Sequence, residues 1–90
     1  MNQQVIDNAI SYLGKDVVIK PSNRESKKFM VLNPTTGKYI HFGQKNSSDF
    51  TIHKDKERQR LYLARATAIK GDWKSNKYSP NNLSINILWK

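Results

Sequence analysis

The sequence contains no cysteine, so disulfides and thiolate metal sites are excluded. Only 37% of its 90 residues are apolar, which limits the core and leaves little room for a deep catalytic cleft. No apolar run approaches the length that crosses a bilayer. The first residues also lack the basic start and apolar run of a signal peptide. We therefore expect a soluble chain with no membrane-spanning segment.

Acidic residues are also scarce. Seven aspartates and glutamates stand against sixteen lysines and arginines, which gives a net charge of +9. Such a charge attracts nucleic acid, an anionic membrane or an acidic protein surface, and composition leaves all three open. There are no internal repeats and no low-complexity tract, so residues 1–90 are predicted to form a single domain.

The N-terminal segment predicts a helix over residues 2–13. Gly14 follows at a position where a helix end favours a residue free to take positive φ. The apolar positions with the i, i+3, i+4, i+7 spacing of one helical face are Ile6, Ala9, Ile10 and Leu13.

Three short segments predict strands. The segment 16–20 is rich in β-branched residues and precedes a proline. Residues 29–32 and 38–42 flank a turn at 33–37 that contains proline and glycine. The last two segments therefore predict a β-hairpin. Alternation predicts that Ile40 and Phe42 share one face and that Tyr39 and His41 share the other.

The second half of the chain predicts one main helix and a closing segment. The helix begins between Thr51 and Asp55 and ends at residue 69 or 70, before Gly71. A polar connection follows over 72–82. The tail, 83–90, alternates like a strand, but a serine and a proline at 79 and 80 are typical of a helix start, which slightly favours a short helix.

These elements predict an α+β fold. The N-terminal helix and a small antiparallel sheet centred on the hairpin pack with the main helix. The C-terminal apolar segment, a short helix or a strand, closes the core through Ile87, Leu88 and Trp89.

The main helix places two arginines inside its apolar stripe. At 100° per residue, Arg58 and Arg65 fall within the arc of residues that would face the core. A buried unpaired guanidinium is costly, so we predict that both arginines clamp Asp49 and backbone carbonyls. A phosphate or partner contact is the first alternative, and a catalytic role is the weaker one. The residues that define the stripe are Leu61, Tyr62, Ala64, Ala68 and Ile69.

The segment DFTIHKD and its surroundings resemble a small uncharacterised protein family of tailed bacteriophages and large DNA viruses. The pattern is a hairpin ending in FG, a loop, D-[FY]-T-x-H-K-D, then R, Y and R at helical spacing, and a closing L-S-x-x-I-L-W. It covers residues 29–90 and leaves the N-terminal helix outside. Relatives commonly carry a histidine where this chain has Ala66. The matching positions are Phe42, Gly43, Asp49, Phe50, Thr51, His53, Lys54, Asp55, Arg58, Tyr62, Arg65, Leu83, Ser84, Leu88 and Trp89.

Catalytic and metal sites find little support in the residue pattern. The only plausible metal ligands are His41, Asp49, His53 and Asp55, and their spacing completes no zinc site. A nuclease would use His53, Asp55, Glu57 and Arg58, but at no recognised spacing. No phosphate-binding glycine motif is present. We therefore predict no catalytic residue, no metal and no cofactor.

The resemblance implies a viral origin rather than an activity. Small basic phage proteins are often associated with the capsid or with DNA. The first interpretation is a non-enzymatic auxiliary capsid protein, found in the virion and in the host cytoplasm during assembly, which binds a virion protein with an acidic surface. The alternative is a non-specific DNA-binding protein that contacts phosphates through its basic helix. Neither a membrane nor a small-molecule substrate is expected as a partner. The predicted contact residues are Lys54, Lys56, Arg60, Lys70, Lys74, Lys77, Trp73 and Tyr78.

Overall fold

The computed structural model describes all residues from 1 to 90 and confirms a single α+β domain. A three-stranded antiparallel sheet has the order β1-β2-β3. No helix combines the length and apolar character needed to cross a membrane. The elements are α1 (Gln3–Leu13), β1 (Ile19–Pro21), β2 (Lys27–Asn33), β3 (Lys38–Gln44), α2 (Phe50–His53), α3 (Lys56–Thr67), a 3₁₀ turn (Asp72–Ser75), and α4 (Pro80–Leu83), which continues into a π-helical turn (Ser84–Leu88).

Helix α1 forms as predicted and buries Ala9 as the spacing predicted, but its buried face is shifted away from Ile10. The Asn2 side chain accepts a hydrogen bond from the Val5 backbone at its start, and the Gly14 backbone donates to Ile10 at its end. The buried residues are Val5, Asn8 and Ala9, whereas Ile10, which the spacing placed inside, is 41% exposed. The Asn8 amide donates to the carbonyl of Ile87 at 2.9 Å, so this contact draws a polar residue inward.

The sheet confirms the predicted hairpin and its alternation. Phe29 pairs with Phe42, and Val31 pairs with Ile40, so these four side chains share the face that meets the core. The first strand lies at Ile19–Pro21 rather than at 16–20. Its proline is tolerated because β1 is an edge strand.

The C-terminal segment is helical and supplies much of the core. The Ser79 side chain accepts from the Asn82 backbone, and Pro80 occupies the first turn of α4, as predicted. The π-helical turn contacts both α1 and β3. The fully buried core cluster therefore combines α1, the sheet and this segment, through Val5, Ala9, Val31, Phe42, Leu83, Ile87 and Leu88.

The predicted main helix is divided in two. Lys54 takes a left-handed conformation at φ +58° and ends α2. The Asp55 side chain then accepts from the backbones of Glu57 and Arg58, and so caps a new helix. Helix α3 ends at Thr67, two or three residues before the predicted end. The cap formed by Asp55 therefore begins a separate helix instead of a continuation of α2.

Helix α3 is also rotated from the predicted orientation. Leu61 is 49% exposed and Ile69 is 54% exposed, so most of the predicted apolar stripe faces outward, whereas Tyr62 faces inward. Tyr62 stacks on Trp89 with ring centroids 4.2 Å apart, and the Gln59 amide donates to the Trp89 carbonyl at 2.9 Å. These contacts with the C-terminal segment fix the helix. The inward positions are Gln59, Tyr62, Leu63 and Ala66.

Candidate functional site

A groove of about 860 Å³ lies between α3 and the loop that follows β3, and we call it the α3 groove. A volume of this size is typical of sites that bind ligands or peptide segments. The lining from α3 consists of Arg58, Leu61, Tyr62, Arg65 and Ala66, and Ile69 adds to it just beyond the end of the helix. The remaining lining comes from Lys28, most of the segment 43–49, Asn81, Leu88 and Trp89.

One end of the groove contains a buried ion pair. Lys28 Nζ lies 2.6 Å from Asp49 Oδ2, and the two side chains are only 11% and 3% exposed. Asp49 Oδ1 also accepts hydrogen bonds from the backbone and the hydroxyl of Thr51, and so caps α2. Thr51 in turn accepts from the Asn2 amide at 3.2 Å. This network joins β2, α2 and the start of α1.

The predicted clamp between Asp49 and the two arginines is therefore wrong. The ion pairs in the structure are Lys28 with Asp49 and Arg60 with Glu57. Arg58 and Arg65 are exposed and make no side-chain hydrogen bond. Because the face of α3 that carries the two arginines points away from the core, their guanidinium groups line the groove.

The exposed wall of α3 alternates cationic and apolar side chains. Arg58, Leu61 and Arg65 follow one another at spacings of three and four residues, so they share one face of the helix, and Ile69 lies two residues beyond its end. The two arginines are two turns apart, about 10 Å along the axis. This face therefore offers two free cations with apolar surface beside each of them.

The aromatic residues of the groove are engaged with one another. The rings of Tyr62 and Trp89 are stacked at an interplanar angle of 9°, and His53 lies 5.3 Å from Trp89 between ring centroids. Burial raises the pKa of Tyr62, while the Ser84 hydroxyl and the Arg65 guanidinium act in the opposite direction. Stacked in this way, the rings form a wall of the groove and leave less surface for another ring.

None of the eight predicted contact residues lines the groove. Lys54 and Lys56 place their ammonium groups 5.9 and 5.5 Å from the centroid of the Phe50 ring. Arg60 forms an exposed ion pair with Glu57, and this hydrogen-bonded pairing raises the pKa of Arg60. These three cations lie outside the groove. The Arg60–Glu57 pair is exposed to solvent and therefore adds little to stability.

The predicted contact residues after α3 are also dispersed. Lys74 lies over the Trp73 ring at 5.6 Å, and Lys77 lies over the Tyr12 ring at 5.3 Å. Lys77 thus sits beside α1, away from the basic side chains near Phe50. The others are Lys70, which is exposed, and Tyr78, which is half-buried against the core.

The candidate metal ligands do not converge. No group of three histidine or acidic side chains lies close enough to hold a metal ion. Asp49 is paired with Lys28, and His53 Nδ1 accepts from the Asp55 backbone at 2.9 Å. His53 Nε2 is buried and has no hydrogen-bond partner. These residues serve local structure in this arrangement.

One pairing was not predicted from the sequence. Ser22 Oγ, in the residue that follows β1, lies 2.7 Å from His41 Nδ1 on β3. No carboxylate side chain bonds to either residue, so the third member of a nucleophilic triad is lacking. No sequence spacing indicates this contact, because only the strand pairing brings the two residues together.

His41 offers a direct test of the local electrostatic field. Partial burial lowers the pKa of His41, and Arg24 and Lys27 lower it further. We expect an NMR titration to give a value below the ordinary 6.5. The joint substitution Arg24→Gln and Lys27→Gln should raise it, because two charges that oppose protonation are removed. Lys70→Gln is the control and should leave it unchanged.

The sign of the stability effect follows from this lowered pKa. The folded state favours neutral His41. The contribution of this preference to the free energy of unfolding is therefore complete above the ordinary pKa of histidine. It declines as the pH falls through the lowered pKa of the folded state. A His41 pKa at or above the ordinary value would contradict this description of the field.

Comparison with known proteins places the chain in a family. No curated protein and no solved structure matches it. A family of unknown function (DUF5754) matches residues 17–66, which is more than half of the chain. The matched segment contains the three strands, the Lys28–Asp49 pair and both arginines of the groove, and it excludes α1 and α4. Membership of an uncharacterised family is thereby confirmed, whereas the phage origin and the specific sequence pattern stay predictions. The chain belongs to the DUF5754 family of unknown function.

Proposed function

We propose that this protein is a non-enzymatic docking protein whose α3 groove binds an acidic segment of a partner protein. The observation that carries this proposal is the pair of exposed arginines, Arg58 and Arg65, which have no carboxylate partner in their own chain. Following the family resemblance, the partner is a capsid or other virion protein, and the chain acts as an auxiliary component of the particle.

The chemistry of the groove supports a carboxylate-bearing partner. A guanidinium is a planar fork that can bind a carboxylate through two parallel hydrogen bonds. Two such groups about 10 Å apart match acidic residues two turns apart on a helix, or a few residues apart on an extended segment. With a net charge of +9, the whole chain also attracts an acidic surface before contact is made.

The apolar side chains favour a protein over nucleic acid at this site. Leu61 and Ile69 expose about half of their surface between and beside the arginines. A phosphate backbone gains little from such contacts, whereas a protein segment can bury them. Arginine and aromatic residues are enriched in protein interfaces, and the groove places both beside Leu61 and Ile69.

The virion assignment is tested by quantitative mass spectrometry of purified particles. An auxiliary capsid protein is expected at a high copy number in a fixed ratio to the major capsid protein. Its absence from particles that package normally would rule out the virion role. Recovery with the genome after the shell has been dissociated would favour the alternative, non-specific DNA binding.

The groove itself is tested by charge reversal. The double variant Arg58→Glu and Arg65→Glu should weaken co-sedimentation with capsids by at least about 100-fold, because it places like charges opposite the acidic segment. Thermal stability should hardly change, since exposed residues without partners contribute little.

The matched control is the double variant Lys56→Glu and Arg60→Glu. It makes the same change in net charge on the same helix, away from the groove. Capsid binding should fall only by the smaller factor due to overall charge. Equal losses in the two double variants would show that binding depends on diffuse charge and would overturn the assignment to the groove.

A further inference from the structure

The second face of the sheet lies outside the core, and its residues are at least partly exposed. The core face carries Phe29, Val31, Ile40 and Phe42, and it meets α4 and the π-helical turn. Alternation puts the intervening residues on the opposite face, where Leu32 pairs with Tyr39 and Met30 pairs with both His41 and Lys20. None of these belongs to the core cluster or packs against it. We call the set Lys20, Met30, Leu32, Tyr39 and His41 the open sheet face.

We propose that the open sheet face binds single-stranded nucleic acid, with Tyr39 stacking a base and the neighbouring cations contacting phosphates. This site lies apart from the α3 groove and does not depend on the function proposed for that groove. A protein that uses both surfaces would connect a virion protein to a nucleic acid strand.

Tyr39 supplies the stacking platform. Its side chain is half-buried on the open sheet face, and the ammonium of Lys20 lies 5.5 Å from the ring centroid. Lysine is long and flexible, so its head can move from the ring to a phosphate when a base arrives. Met30 and Leu32 provide apolar surface beside the ring.

Cations surround this platform. Lys20 and Arg24 are exposed, and after partial burial the charges of Arg24 and Lys27 also lower the pKa of His41. The field at the open sheet face is therefore positive, which suits a phosphate chain. Two copies of the protein placed face to face would bring these cations together, so a second copy is a poor occupant.

A single strand fits better than a duplex. Bases in a duplex are already stacked and cannot reach a ring on a flat sheet, whereas unpaired bases can. Stacking accepts any base, so the expected binding is tolerant of sequence and sensitive to salt.

The test measures fluorescence anisotropy with a short labelled oligothymidylate and with a duplex of the same length. We expect the single strand to bind more tightly. Tyr39→Ala should weaken its binding by about tenfold, and Tyr39→Phe should retain it because the ring is kept. Lys20→Gln should weaken binding of the single strand and reduce its salt dependence. The double variant Lys20→Gln and Arg24→Gln should weaken this binding more than the double variant Arg58→Glu and Arg65→Glu, which changes the α3 groove.

A second measurement needs no variant. Adding the unlabelled oligothymidylate to the wild-type protein should shift the NMR signals of the His41 ring and raise its pKa, because a phosphate offsets the neighbouring cations. Tighter binding of the duplex, unchanged binding by Tyr39→Ala, or a silent His41 ring would each overturn the proposal. Equal competition by polyglutamate would also overturn it and identify the face as a site for acidic protein.

Discussion

Replacing Asp49 with alanine is expected to lower the free energy of unfolding by about 3–5 kcal/mol, the usual cost of breaking a buried ion pair from one side. The substitution leaves Lys28, whose side chain is 11% exposed, without its counter-ion. It also removes the cap of α2, since both the backbone and the hydroxyl of Thr51 donate to Asp49. The free energy of unfolding of a domain of this length is roughly 5–13 kcal/mol, so the loss would be a large part of it.

Chemical denaturation would measure this loss, with Asp7→Ala as the control. Asp7 also accepts a side-chain hydrogen bond, from Gln3, but in an exposed position, so its removal should change stability by less than about 1 kcal/mol. Adding Lys28→Met to the Asp49→Ala variant should restore part of the stability, because the unpaired cation is gone. A loss no larger than that of the control would show that the pair contributes little.

The substitution Gly43→Ala is expected to lower the free energy of unfolding by about 2–4 kcal/mol. Gly43 has φ +79°, a conformation that L side chains rarely adopt. A Cβ atom at this position would also lie 2.9 Å from Leu88 Cδ1 and 3.3 Å from Lys28 Cβ. Leu88 is 2% exposed, so it has little freedom to move aside. The loss therefore combines backbone strain with overpacking.

Gly37→Ala separates these two causes. Gly37 has a similar φ of +73°, but no atom lies within 4 Å of a Cβ built there. Its substitution should cost only the backbone share, about 1–2 kcal/mol. Denaturation of both variants gives the difference directly. If the two losses were equal, Leu88 and the strand must relax around the new methyl group, and the close approach would not matter.

Elements governed by neighbouring residues could be predicted from the sequence. Gly14 ends α1, the proline and glycine of 33–37 turn the hairpin, and Ser79 with Pro80 begins α4. Each of these depends on backbone preferences or on a side chain that bonds within three or four residues. Alternation correctly put Ile40 and Phe42 on one face and Tyr39 and His41 on the other, because both strands of the hairpin have one buried face.

The site depended on contacts that no local pattern contains. The apolar arc of α3 predicted that Arg58 and Arg65 would face inward, but the stack of Tyr62 on Trp89 turned the helix so that both face the groove. Asp49 was assigned to the arginines because they are close in sequence. Its partner is instead Lys28, which the hairpin brings to it from 21 residues away.

The sequence by itself determined a basic, cysteine-free α+β domain with its caps and its hairpin, since charge, composition and backbone preference are properties of single residues and their neighbours. Only the tertiary structure decided which charges are neutralised and which stay free. A weakly amphipathic helix has several orientations of similar energy, and for α3 the contacts with the C-terminal segment selected one of them. That choice left the two arginines free along the groove, while the hairpin brought Lys28 to the buried Asp49.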